Sequence, residues 1–319
     1  MGKLMIQIMI QKEEAGRKLS RFLEKLLPRA PRGLFFKALR NKKIKVNGKK
    51  PEDLAMILQT GDEVRIFFTD EQLESFGFTE KTSAISLPGA FPIVPIIYED
   101  ENLLILDKPA GLLSQKSKPE DISLNEIGCR MIEEKSGGHL GYRPGVCNRL
   151  DRNTAGAVIM AKTLEAGQAV SLMLREHRLG KFYWALVQGI PTQWFQEKTL
   201  IHGWKKDEVK NKAELIEWKD DLQGYQRIES RVKLLQSFEE YSLIEICLLT
   251  GKSHQIRSQL AWEGYPILQD GKYNAATKEF RPMLVAKRLE FNHCPEVLKY
   301  MEGKVVEAAT PKAMIQYFK

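Results

Sequence analysis

The chain has 319 residues, 43% of them hydrophobic and 28% charged, with a net charge of +8. That length suits two domains of roughly 100–200 residues each, with apolar material for a full core. No apolar run reaches the ~18 residues of a membrane span, the N-terminus lacks a small-residue cleavage site, and Ile6 stands where a myristoylation motif needs Ser or Thr, so a cytoplasmic protein without a membrane partner is expected.

The opening KLMIQIM alternates like a strand. From Ala15 to Lys50 there are thirteen Lys or Arg against one acid, Glu24, so this segment carries +12 and the remainder of the chain sums to −4. Leu19, Phe22, Leu23, Leu26 and Leu27 fall at helical spacing, Pro28 and Pro31 punctuate, and Leu34, Phe35, Ala38 and Leu39 give a second apolar stripe. Arg17, Lys18, Arg21, Arg32, Lys37 and Arg40 belong on the outer faces, with Lys43 beyond them, a dense positive surface suited to phosphates. KIKV then runs into Asn47-Gly48, a tight-turn signal, and EVRIFF after Gly61-Asp62 closes the unit. This helix-helix-hairpin pattern over about residues 14–69 resembles the alpha-L RNA-binding domain, placing an RNA-binding domain at 1–69.

Residues 70–95 lack sustained periodicity and are expected to be a linker. A second domain, 96–319, begins with two short strands in IIYEDENLLILDKPAGLL. Further strands are expected at AVIMA, FYWALVQG and MLVAKRLEF, with a hairpin of RVKLLQSF and YSLIEICLL about Glu239-Glu240. Helices are expected at Leu164–His177 and over SHQIRSQLAWEG, stopped by Gly264. The fold class is α+β: a large, mostly antiparallel sheet flanked by helices and loops, plus the small α/β RNA-binding domain.

Several chemistries fail at a required atom. TGKSHQ has Ile246 where a P-loop needs glycine, and Gln255 where a nucleophile elbow needs one. Asp151-Arg152-Asn153 is no calcium loop, because Ala155 and Lys162 occupy ligand positions. GGHLGYRPG does not join a strand to a helix, so no dinucleotide is expected. Cys129, Cys147, Cys247 and Cys294 form no CxxC pair and are expected as reduced thiols; the five histidines show no HxxxH spacing. No metal and no cofactor are expected.

What remains is Asn148-Arg149-Leu150-Asp151-Arg152-Asn153-Thr154-Ala155-Gly156. Two flanking guanidinium groups favour the carboxylate form of Asp151. Asp carboxylates act as covalent nucleophiles in glycosyl chemistry, and Thr154, Ala155 and Gly156 leave room for a flat ring. A salt-bridged turn leading into a strand would look the same.

The second domain resembles the RluA family of pseudouridine synthases over nearly all of residues 95–295. The family's His-Arg-Leu-Asp-x-x-Thr-Ser-Gly stands here as NRLDRNTAG. Its KPAG turn is Lys108 to Gly111, its K-x-Y-x-A-L-V-x-G strand is Lys181 to Gly189, and its L-x-T-G-R-T-H-Q-I-R segment is Leu249 to Arg257. Gly264-Tyr265-Pro266-Ile267 with Asp270 matches G-x-P-I-x-G-D in part. The resemblance implies Asp151 as catalytic aspartate, Arg257 pairing with it as an anion, and Tyr183 lying over the uracil as candidate for proton transfer. It implies Arg149 filling the stack vacated by a flipped uridine, with Arg152, Thr154 and Lys252 contacting RNA.

The reaction implied is the cofactor-free isomerisation of uridine to pseudouridine by base flipping. Large-subunit ribosomal RNA is the expected partner and transfer RNA the alternative; a non-catalytic RNA-binding or ribosome-assembly protein is a third reading. A hydrolase would want two placed carboxylates, and no second acid stands out. A monomer is expected. Asn148, Ala155, Lys252 and Ser253 depart from the commonest family residues. Trp194, Trp204, Trp218 and Trp262 are expected as core or rim, His254 as fixing the loop that carries Arg257, and His177 and His202 at the surface.

Overall fold

The computed structural model describes residues 3–10, 14–78, 92–136, 143–209, 211–220 and 223–318. The N-terminal unit comprises β1 (Lys3–Met9), α1 (Leu19–Leu26), α2 (Arg32–Arg40), β2 (Ile44–Val46) and β3 (Glu63–Thr69), with the strands in the antiparallel order β1-β3-β2. The two apolar stripes bury Leu19, Phe22, Leu23, Phe35 and Ala38 against Ile8, Ile44, Val64 and Ile66, a cluster of its own. Asn47 and Gly48 both have positive φ, 51° and 73°, the backbone of a two-residue hairpin turn, and Val46 pairs with Lys49 across it.

The expected linker begins with a helix, α3 (Asp70–Ser75). Thr69 accepts the Gln72 amide while the Gln72 side chain accepts the Thr69 amide, so two amides that the first turn leaves without intrahelical partners are satisfied at once. Residues 79–91 of that linker lie outside the described residues.

The rest of the chain runs β4 (Ile96–Glu99), β5 (Leu103–Lys108), α4 (Leu124–Ser136), β6 (Gly145–Val146), β7 (Ala155–Ala161), α5 (Leu164–Arg175), β8 (Leu179–Gln188), β9 (Lys198–Asp207) and β10 (Lys212–Glu217). It continues with β11 (Gln226–Ser237), β12 (Tyr241–Leu248), α6 (Gln255–Trp262), β13 (Leu284–Phe291), β14 (Val305–Glu307) and α7 (Lys312–Ile315). Among the described residues the strands make one large sheet, β10-β9-β11-β12-β8-β13-β7-β5-β4, with β6 paired to β7 and β14 to β13. All pairings are antiparallel except β13 with β7. The neighbouring strands β5 and β7 are buried on both faces, which is why LLIL and AVIMA are continuous apolar runs rather than alternating ones.

Three adjacent strands meet in register on one row of this sheet: Ala286 on β13 faces Gly156 on β7 and Tyr183 on β8. Gly156 has φ +117°, and a Cβ there would lie 2.2 Å from the Ala286 carbonyl oxygen. Only a residue without a side chain lets β7 and β13 approach. Gly156→Ala is expected to lose about 3 kcal/mol, from backbone displacement plus an unfavourable positive φ. Urea denaturation measures this, and a variant as stable as the parent would refute it.

Candidate active site

A cleft of about 850 Å³ opens at the ends of β7, β8 and β12. Asp151, Tyr183 and Arg257, 74 residues apart at the farthest step between consecutive members, all line it, with Arg149, Thr154 and Lys252. Asp151 sits in the turn just before β7, Tyr183 on β8, and Arg257 in the first turn of α6.

The loop carrying Asp151 is held from beneath. Lys108 is fully buried and its ammonium donates to the carbonyls of Pro109, Leu112 and Arg152 at 3.1, 2.7 and 3.0 Å. Burial pushes Lys108 down to about 8, offset in part by the charge of Asp151. The KPAG lysine is thus a tie between two backbone segments, one of them adjacent to Asp151. Gly111 and Arg152 complete the tie: the Gly111 amide donates to the Arg152 carbonyl, and Arg152 Nε donates back to the Gly111 carbonyl at 3.1 Å. Ser114 accepts the Leu150 amide and donates to its carbonyl, and Asn148 Oδ1 accepts the Ile159 amide at 2.8 Å. Asn148, where the family usually has His, therefore bridges the loop to β7.

Arg257 is almost buried, and its guanidinium is divided between two acids. Nε and one terminal nitrogen donate to both oxygens of Asp270, at 2.7 and 2.6 Å, while the other, Nη1, donates to Asp151 Oδ2 at 3.3 Å. Burial acts to lower the Arg257 pKa, but the hydrogen bonds and charge of Asp270, and then those of Asp151, raise it overall. Asp270 is a second acid beside the site that sequence spacing alone does not mark. It lies in the fifth matching segment, and it is not a free general acid because both oxygens are engaged by Arg257.

Tyr183 is buried, and burial followed by the charge of Asp151 drives its phenol well above the usual range. The Thr154 hydroxyl, in the cleft wall, is buried without a hydrogen-bond partner. His254 lies 3.9 Å from Asp151 Oδ2, and Tyr273, with its ring over Arg257, lies behind it; neither is among the site residues expected from the sequence. The loop from Thr250 is fixed chiefly by Gln255, whose side chain takes the Lys252 amide and the Thr250 hydroxyl and donates to the Glu229 carbonyl.

Other expectations land elsewhere. Arg152 is exposed but is outside the cleft lining, its side chain used by Gly111. Arg17, Lys18, Arg21, Arg32, Lys37, Arg40 and Lys43 belong to the N-terminal unit and do not line the cleft. Arg21 and Arg32 both pair with Glu24, at 2.9 and 3.1 Å, and Lys43 lies over the Phe68 ring. His202 is not at the surface: it is buried between Gln259 and Glu263, which satisfy its two nitrogens. Trp194 is core and Trp262 is half exposed. All four cysteines are free thiols, and no described helix is long and apolar enough to cross a membrane.

Residues 102–262 match the family described as RNA pseudouridylate synthase. An uncharacterized RNA pseudouridine synthase from Mycoplasma genitalium is 30% identical over 278 residues, 84% of this chain and 81% of that one. The chain belongs to the RluA family of RNA pseudouridine synthases. The ribosomal large subunit pseudouridine synthase C of Escherichia coli is 29% identical over 313 residues, 90% of this chain and 88% of that one. The fold is shared with human RNA pseudouridylate synthase domain containing 4, at a TM-score of 0.55 and 20% identity over 69% of this chain and 90% of that one. This RluA-family synthase is an isomerase acting on RNA.

Because Asp270 alone offsets the buried guanidinium from behind, Asp270→Asn is expected to destabilise the synthase by about 3–5 kcal/mol. Denaturant unfolding tests this; a loss below about 1 kcal/mol would show that the pair is not what anchors Arg257.

Proposed function

We propose that the chain isomerises uridines of large-subunit ribosomal RNA to pseudouridine, with Asp151 as the reacting carboxylate. The observation that carries the chemistry is the asymmetry at Asp151. Oδ2 is tied to Arg257, while the side chain remains 28% exposed at a cleft whose volume is ordinary for a small-molecule site of roughly 300–1,000 Å³. Oδ1 is the oxygen left to meet an extruded nucleotide.

An enzyme that alters a base in folded RNA must first take it out of the stack. The exposed position of Arg149 on the cleft wall supports its role in filling the vacated space. In the isomerisation the N1–C1′ bond breaks, the base turns, and a C5–C1′ bond forms. The C5 proton leaves and N1 regains one, so nothing is consumed. Asp151 serves either as nucleophile or as base on the sugar. Tyr183 stays a neutral phenol, so it serves as a surface under the ring and a hydrogen-bond donor rather than as a phenolate base. The unpartnered Thr154 hydroxyl supports a contact with the bound nucleotide. Both carboxylate oxygens of Asp270 being engaged supports isomerisation over hydrolysis, which would need a second free acid.

Ribosomal RNA is favoured by relatives named as large-subunit synthases that match along most of their length. The N-terminal unit of residues 1–69 serves as an alpha-L-type RNA-binding domain. Its support is the basic, exposed faces of α1 and α2 over a separate apolar cluster.

Two outcomes check this. Asp151→Ala is expected to abolish pseudouridine formation, by at least ~10³-fold, on large-subunit ribosomal RNA while binding is retained. Preferential modification of transfer RNA would overturn the substrate assignment, and activity in the variant the catalytic one. Lys37→Ala with Arg40→Ala is expected to flatten the salt dependence of RNA affinity by roughly 1–2 in log–log slope, about 0.7–0.9 per lost phosphate contact. An unchanged slope would remove those residues from the interface.

A further inference from the structure

His254 has positive φ, 57°, at the residue that opens α6, a left-handed backbone that most side chains avoid. That backbone, together with Tyr273, sets its ring. The Tyr273 hydroxyl accepts the Ala213 amide at 2.7 Å and lies 3.0 Å from His254 Nδ1. Arg257 and Lys212 both lie against the Tyr273 ring, at 5.2 and 5.6 Å from its centroid. A phenol has one hydrogen to give. With an amide hydrogen already directed at its oxygen and two cations beside it, the phenol is the better donor, and Nδ1 is the acceptor within reach. A neutral imidazole that accepts at Nδ1 carries its own hydrogen on Nε2. Nε2 lies 3.9 Å from Asp151 Oδ2, the same oxygen that Arg257 holds.

We propose that Tyr273 locks His254 as the neutral Nε2–H tautomer, and that His254 is a positioning residue whose Nε2–H becomes a second donor to Asp151 Oδ2, leaving Oδ1 to meet the nucleotide. This rests on Asp151 being the reacting carboxylate. In the free protein 3.9 Å is longer than a hydrogen bond, and contacts of this kind tighten when substrate closes the site. The charged groups facing the ring agree. Burial lowers the His254 pKa, Arg257 and Lys272 lower it further, and the attraction of Asp151 and Asp270 does not restore it, so that it stands at about 4. A ring with hydrogen on Nε2 cannot take a proton there, so His254 is not the base that removes the C5 proton.

The test uses full-length protein with ¹⁵N-labelled histidine. Nitrogen NMR is expected to show His254 unprotonated at Nδ1 and protonated at Nε2 from neutral pH down to about 5, and Tyr273→Phe to give mixed tautomers. In single-turnover assays His254→Leu is expected to lose ~10²-fold in rate with little change in RNA affinity, and His254→Gln, which keeps a donor near the Nε2 position, to recover most of it. The parent's pH–rate profile should show no break attributable to His254 between pH 5 and 8. A hydrogen on Nδ1 at neutral pH, an imidazolium, or a Gln variant as slow as the Leu variant overturns the proposal. The NMR result needs no turnover, so a wrong tautomer beside an inactive Asp151→Ala sinks this inference alone. An active Asp151→Ala sinks the underlying reading as well.

Discussion

One guanidinium between two carboxylates governs the site. Burying Arg257 removes it from water, a penalty that an isolated pair does not dependably repay. Asp270 makes it tolerable by presenting both oxygens to the fork, a geometry that an arginine can meet and a lysine cannot. The fork has further hydrogens to give, and that surplus faces Asp151. Asp270 thus fixes the plane of Arg257, and Arg257 fixes one oxygen of Asp151. Asp151 is oriented through Arg257 by an acid that is not its own hydrogen-bond partner.

The sheet is what makes such a division possible. Asp151, Arg257 and Asp270 come from the turn before β7, from α6, and from the segment between α6 and β13. β13 runs between β7 and β8 and parallel to β7, so it brings the Asp151 loop beside Tyr183 instead of leaving them on distant strands. Gly156 lets that parallel contact close, and Lys108 gathers the carbonyls of Pro109, Leu112 and Arg152, tying the turn after β5 to the loop that carries Asp151. The small and invisible members of the motifs, a glycine and a buried lysine, hold the backbone on which the visible ones act.

Local signals were legible where one stretch of chain decided the outcome. The Asn47-Gly48 turn, the paired stripes of α1 and α2, the hairpin about Glu239-Glu240 and the stop at Gly264 all follow from their own residues. The strands β9 and β10 escaped because they lie at the sheet margin with Lys and Glu pointing to solvent, so no clean alternation marks them. The helix α3 was signalled by Thr69 and Gln72 at capping-box spacing, but its six residues hold one apolar side chain, Leu73, too few for periodicity to show. His202 was expected at the surface because no metal motif includes it; what buries it is its place on β9 opposite α6, where Gln259 and Glu263, some sixty residues on, satisfy its nitrogens. In the site, the motifs brought Asp151, Tyr183 and Arg257 into view. Asp270 and Tyr273 gain their meaning only from contacts with segments the chain order does not bring near.

Charge shows the same contrast between sum and placement. Outside the N-terminal block the chain is net acidic, −4, which by itself argues against a polyanion as partner. Yet the described residues that line the cleft include Lys116, Arg149, Arg175, Lys181, Lys252 and Arg257 against a single acid, Asp151. The surplus acids are spent on other surfaces, many in pairs with neighbouring Lys or Arg. A cleft of one sign concentrates an RNA backbone however the total is balanced, because screening confines each charge to about 10 Å at ordinary salt. Within that field Asp151 is the one carboxylate among the described lining residues, so its charge is set off from every other group of the cleft.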